Sequence, residues 1–76
     1  MIKVEENLFL YDGVYVRKLD NGRYIARFYV NSVKSICTVS ASTEEGFKKV
    51  FDKFVRTNKG LDIKRYQRSL LMRYAE

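Results

Sequence analysis

From Asn7 to about Val39 the chain alternates. Four short runs, "NLFLY", "VYVRKL", "RYIARFYV" and "KSICTV", are rich in Val, Ile, Tyr and Phe, residues that suit a pleated, half-buried surface. Asp12-Gly13, Asp20-Asn21-Gly22 and Asn31-Ser32 separate them, and Gly and Asn tolerate the positive φ of a tight turn. Within "RYIARFYV" every second residue falls into one of two sets. Tyr24, Ala26, Phe28 and Val30 form an apolar face, while Arg23, Ile25, Arg27 and Tyr29 form the other. Successive strand side chains point to opposite sides of a sheet, so the two sets face in opposite directions. The pattern predicts a three- or four-stranded antiparallel meander over residues 8 to 39. "NLFLY" is either its first strand or an extended arm.

The period then changes. In "SASTEEGFKKVFDKFVR", Ser42 stands three residues before Glu45, the form of a capping box. Phe47, Val50, Phe51 and Phe54 follow at helical spacing, and Lys48, Lys49, Asp52, Lys53 and Arg56 cover the other sides. A helix is expected over 43 to 57, packed through those four apolar residues onto Tyr24, Ala26 and Phe28. Gly46 costs about 1 kcal/mol against Ala in a helix interior. The expected reason for it is a sheet too close for a side chain. Asn58-Lys59-Gly60 reads as a helix stop. A second helix is expected over 62 to 75 with Ile63, Tyr66, Leu70, Leu71 and Tyr74 as its apolar positions, docked through Tyr66 and Leu70. The predicted fold class is α+β: a meander on one amphipathic helix, plus a C-terminal helix, in a single domain over residues 1 to 76.

One helix covers one side of a sheet, so the other side is the place to look for function. Tyr15 and Arg17 extend the arginine-bearing face onto the preceding strand, and Lys34, Ile36 and Thr38 extend it onto the next. This assignment turns Cys37 and Val39 toward the core. Serine or threonine would hydrate such a face at less cost than arginine, tyrosine and isoleucine.

Charge sharpens that picture. The net charge is +6 over 76 residues. Residues 1 to 52 hold eight Lys or Arg against seven Asp or Glu, and residues 53 to 76 hold seven against two. A basic excess suits a polyanionic partner, and it also suits solubility. Enzyme chemistry finds little to work with. The chain has no histidine, the commonest acid-base group and metal ligand. Cys37 sits in an apolar run with no base beside it, which reads as an inert thiol. Glu44 and Glu45 are adjacent at a helix start, where carboxylates favour the dipole. No glycine-rich phosphate loop and no metal-ligand spacing occur. The expectation is no enzyme, no metal and no cofactor. A single cysteine, no membrane span and no signal-peptide block lead to a cytoplasmic expectation.

The order of residues in "GVYVRKLDNGRYIARFYV" and "STEEGFKKVFDKFV" resembles the ethylene-response-factor type of DNA-binding domain. It is also similar to the related domains at the N-termini of phage and transposon tyrosine integrases. The matching residues are Gly13-Val14-Tyr15, Gly22-Arg23-Tyr24, Ala26, Phe28, Ser42-Thr43-Glu44-Glu45 and Phe51-Asp52. They cover residues 13 to 55. "CTVSAS" replaces the family's Leu-Gly-x-Phe, and Lys49, Val50, Phe54 and Val55 stand where small alanines are usual. The resemblance implies a sheet that enters the major groove of DNA. Carried over, the contacting positions are Tyr15, Arg17, Arg27, Tyr29, Lys34 and Ile36; Arg23 joins them from the alternation. The expected function is therefore a small double-stranded-DNA-binding protein, an accessory or regulatory factor of a phage or mobile element. The alternative is an inhibitor or adaptor that presents the same aromatic and basic face to an acidic protein, since Tyr and Arg are enriched at both kinds of interface.

Overall fold

The structure, a computed structural model, describes residues 1 to 31 and 35 to 66. Five strands run in chain order, β1 (Ile2–Glu5), β2 (Leu8–Tyr11), β3 (Val14–Lys18), β4 (Tyr24–Val30) and β5 (Ser35–Ala41), followed by one helix, α1 (Glu44–Thr57). Each strand pairs antiparallel with its neighbour in sequence, giving an open sheet of order β1-β2-β3-β4-β5. This is an α+β meander with one strand more than the alternation predicts. The additional strand is β1, all four residues of which are exposed at the sheet edge. Asn7, with φ 62°, supplies the positive φ of its turn into β2.

The local chemistry explains the turns and the helix ends. Asp12 and Gly13 both have positive φ, 53° and 80°, and join Tyr11 directly to Val14, the mirror-image turn that matches strand twist. Helix α1 begins one residue later than the expected box. Its N-cap is Thr43, not Ser42, and the Thr43 hydroxyl accepts from the Gly46 amide at 2.9 Å. A Cβ at residue 46 would lie 2.9 Å from that hydroxyl oxygen and 3.6 Å from the Ala41 Cβ. Gly46 therefore makes room for the cap, and the sheet itself is at ordinary contact distance. At the other end the Asn58 backbone and side-chain amides both donate to the Phe54 carbonyl, at 3.0 and 2.9 Å.

The core lies between α1 and one face of the sheet. Val14, Val16, Ala26, Phe28, Val30, Val39, Phe47 and Phe51 form it, with Phe54, Tyr24 and Cys37 packed at its margin. Phe28 meets Phe51 and Phe54 edge-on, each at 5.8 Å between ring centres. Cys37 and Val39 point inward as expected, opposite Phe28 and Ala26 on β4. Val50 does not join them: it is 47% exposed, and Val55 packs against the core in its place. At 100° per residue Val50 falls at the rim of the arc that Phe47, Phe51 and Phe54 define. Tyr11 closes the far side, its ring edge-on to Phe47 and Phe51 and its hydroxyl donating to both oxygens of Asp52 at 3.0 Å. Burial, then that hydrogen bond, then the negative charges of Asp52 and Asp12 raise the Tyr11 pKa above its usual value.

The segment after α1 departs most from expectation. No helix begins near Asp62. Ile63 instead bridges Val30 antiparallel. The Asn31 amide donates to the Asp62 carbonyl at 2.9 Å, the Lys64 amide to Tyr29 at 2.9 Å, and the Tyr66 amide to Gly13 at 2.8 Å. Backbone groups committed to β4 and to the β2–β3 turn are not available for the i to i−4 bonds of a helix. The register explains the vacancy they fill. Strand β4 pairs with β5 from Tyr24↔Ala41 to Val30↔Ser35, but with β3 at Arg17↔Ile25 and Lys18↔Tyr24. Residues 62 to 66 run into the gap where β3 and β4 part. Leu61 and Ile63 turn inward to the core, a spacing of two, as in a strand. Arg65 clamps the turn, its Nε donating to the Asp12 carbonyl at 2.7 Å and a terminal nitrogen to the Asp12 carboxylate at 3.1 Å. A Cβ at Gly13 would lie 2.6 Å from the Arg65 side chain, so glycine there serves a close approach as well as a turn. Tyr66 is 65% exposed and does not dock as expected. Residues 67 to 75 of the expected helix, including Leu70, lie outside the described residues.

Candidate nucleic-acid interface

The sheet face turned away from α1 is assembled by register. Residues directly opposite each other on antiparallel strands share a face. One row crosses the whole sheet, running Glu5, Leu8, Arg17, Ile25, Ser40. A second runs Ile2, Leu10, Tyr15 over the first three strands. Beyond Ile25, Arg27 stands opposite Thr38 and Tyr29 opposite Ile36. Among the described residues no helix or second sheet lies over these rows.

The sequence-derived site residues come together on this face, with one exception. Tyr15, Arg17, Arg27 and Tyr29 are half-buried, Arg23 is exposed, and Ile36 is 44% exposed. Lys34 lies outside the described residues. Arg23 precedes β4 and reaches toward β5, donating from a terminal nitrogen to the Ser40 hydroxyl at 3.2 Å. Its backbone amide is held by the Asn21 side chain at 3.0 Å. The result is one guanidinium on β3 (Arg17), one on β4 (Arg27) and one resting at β5 (Arg23). Strands lie about 4.8 Å apart, so these three sites span roughly 10 Å across the sheet. Arginine offers a planar fork of donors that fits phosphate, carboxylate or the edge of a guanine with two hydrogen bonds.

Sequence reasoning missed the apolar part of this face. Leu8 is 2% exposed, yet it pairs with Arg17 and stands apart from the core cluster around Phe47. Leu10 and Ile2 share its side. The signal was present in "NLFLY", where Leu8 and Leu10 alternate with Phe9 and Tyr11, so both faces of β2 are apolar. Ser40 was within reach of the same alternation.

Other chemistry is thin among the described residues. No group of three or more His, Cys, Asp or Glu is placed to hold a metal ion. No helix is long and apolar enough to cross a membrane. Cys37 is a free thiol, half-buried on the core side opposite Phe28. Comparison with protein-family models, with curated proteins and with solved structures finds no match to this chain.

Proposed function

We propose that the protein binds double-stranded DNA through the sheet face opposite α1, as a non-enzymatic accessory or regulatory factor acting in the cytoplasm. The observation that carries this reading is the placement of Arg17, Arg23 and Arg27 over three adjacent strands, with Tyr15 and Tyr29 beside them. Sheet width decides how it docks. Five strands span roughly 19 Å between the outermost axes, against a major groove of about 12 Å. The β4–β5 ribbon is thin enough to enter, and its seven paired positions make it the longest ladder in the sheet. Arg27, Tyr29, Ile36 and Thr38 then face base edges, while Arg17 and Arg23 reach the flanking phosphates.

A second reading has one observation in its favour. Ile36 is 44% exposed beside Tyr29, and Leu10 and Ile25 share the face, a mixture that suits an acidic protein partner as well. Titration of mixed-sequence duplex across a salt series separates the two. DNA binding predicts salt-sensitive affinity at about 50 mM salt. Arg27→Ala should then weaken a preferred site by about 1 to 3 kcal/mol and relax base choice there. Wild-type protein with no salt-sensitive affinity for any duplex would decide for the protein partner.

A further inference from the structure

The solvent side of α1 carries a second basic surface, and it points away from the first. Lys49, Lys53 and Arg56 are exposed and follow at spacings of four and three, so they form one stripe along the helix. Each lies about 200° around the axis from the second residue before it. Lys49 and Lys53 therefore stand opposite Phe47 and Phe51, which are 0% exposed against the sheet. The sheet's arginine face lies on the far side of that core. Of the helix acids, Glu44 pairs with Lys48 at 3.6 Å and meets the N-terminal amine at 3.9 Å, Asp52 accepts from Tyr11, and exposed Glu45 stands one turn before Lys49 on the same side. The stripe is thus left with a net positive charge over two helical turns, three cations against Glu45 at its start.

We infer that this stripe binds the phosphate backbone of a second duplex, so that one domain bridges two DNA segments. The inference rests on the sheet-face reading above. Seven residues of helix rise about 10 Å. Phosphates of one strand recur every 3.4 Å or so along the duplex axis, so three cations over that length match about three successive phosphates. Lysine suits such a contact because it meets phosphate as a flexible point charge. The two faces differ in what they can read: the sheet side presents three guanidinium forks on a ribbon thin enough for the major groove, whereas the helix side presents two lysines and one arginine on a surface that meets the backbone by charge. Its hold on DNA is therefore independent of sequence and steeply dependent on salt.

Capture of two duplexes tests this. A mixed-sequence duplex is fixed to beads, loaded with protein at about 50 mM salt, washed, and offered a fluorescent duplex of the same sequence. Wild-type protein should hold the second duplex and release it as salt rises. Lys49→Gln, Lys53→Gln and Arg56→Gln together should leave the first duplex bound and reduce capture of the second by about tenfold or more. Lys49→Arg with Lys53→Arg, which keeps the charge, should capture as wild type does, and a wild-type far-UV circular dichroism spectrum of the glutamine variant excludes loss of helix as the cause. Wild-type protein that binds the first duplex and not the second overturns the bridging inference and leaves the sheet reading standing. Capture by the triple glutamine variant at the wild-type level overturns it too, since bridging would then come from association of two copies. Absence of binding to the first duplex overturns both.

Discussion

Strand β4 belongs to two environments at once. On its helix side Ala26, Phe28 and Val30 are at most 3% exposed, locked against Phe51 and Phe54. On its other side Ile25, Arg27 and Tyr29 are half-buried and are flanked by exposed Ile36, Thr38 and Ser40 on β5. The backbone and its hydrogen bonds are common to both. What differs, among the described residues, is the layer above. Apolar side chains under α1 leave water on folding, at roughly 25 cal/mol for each Å². The outer residues keep much of their surface, and a binding partner can still take it. On the proposed reading, stability and recognition are thus divided between the faces of a single strand. A domain of this size has a margin of only several kcal/mol, so the division should be visible in single substitutions.

The largest effect is expected on the helix side. Phe51 is 0% exposed and touches the rings of Tyr11, Phe28 and Phe47. Phe51→Ala should cost about 3 to 5 kcal/mol through lost burial and the cavity left behind. Thermal or urea denaturation would then find the variant largely unfolded at room temperature. A loss below 1 kcal/mol would mean that the ring cluster is not the core. Leu8 probes the other side of the sheet, where the division is least clean, since it is 2% exposed yet outside that cluster. Leu8→Ala should cost about 2 to 3 kcal/mol in the same assay. A cost equal to that of Phe51→Ala would show that the outer face holds a core of its own.

These contrasts follow how the chain could be read. The helix phase was legible because Phe47, Phe51 and Phe54 repeat at helical spacing within eight residues, and β4 because its two sets of side chains differ so sharply in chemistry. Both signals are local. The arginine face followed from the same alternation, once β3 and β5 were set in register. Strand β1 was hidden because an exposed edge strand has no buried set to alternate with. Residues 62 to 66 misled for a different reason. Ile63 and Tyr66 are three apart, as on a helix, while the groups that hold this segment out of a helix are Gly13, Tyr29 and Asn31, more than 30 residues away. Pairing at that range leaves no trace in a short window of sequence.

Tyr11 joins the sheet to α1 through a polar bond at the edge of the aromatic cluster, so its contribution should be intermediate. Tyr11→Phe keeps the ring and removes the bond to Asp52. The expected cost is about 0.5 to 1.5 kcal/mol near neutral pH. The pH dependence identifies the hydroxyl. Its folded pKa is raised above 10.0, mainly by burial and next by the bond to Asp52, so the folded state retains a proton that the unfolded chain gives up. The contribution is fully present below pH 10 and is lost as pH rises through the folded pKa. Urea midpoints of wild type and variant should therefore converge in alkaline buffer. A gap that stays constant across that range would show that the Asp52 bond is not the source.

The smallest effect on folding is expected at Arg23, and the small size is the point. Its side chain is exposed, and the bond to Ser40 is made in water. A solvated contact of that kind contributes little, so Arg23→Ala should shift stability by no more than about 0.5 kcal/mol. If the outer face docks on DNA, the same substitution should weaken every duplex about equally and lower the salt slope by about one unit, as loss of a phosphate contact does. Denaturation and a duplex titration on one preparation measure both quantities. Binding that falls while stability holds places Arg23 on a recognition surface, in contrast to Phe51, where binding can fall only because the fold does. A destabilisation of 2 kcal/mol or more would instead make the Arg23–Ser40 contact part of what holds β4 to β5, and the division between the two faces would fail at its polar end.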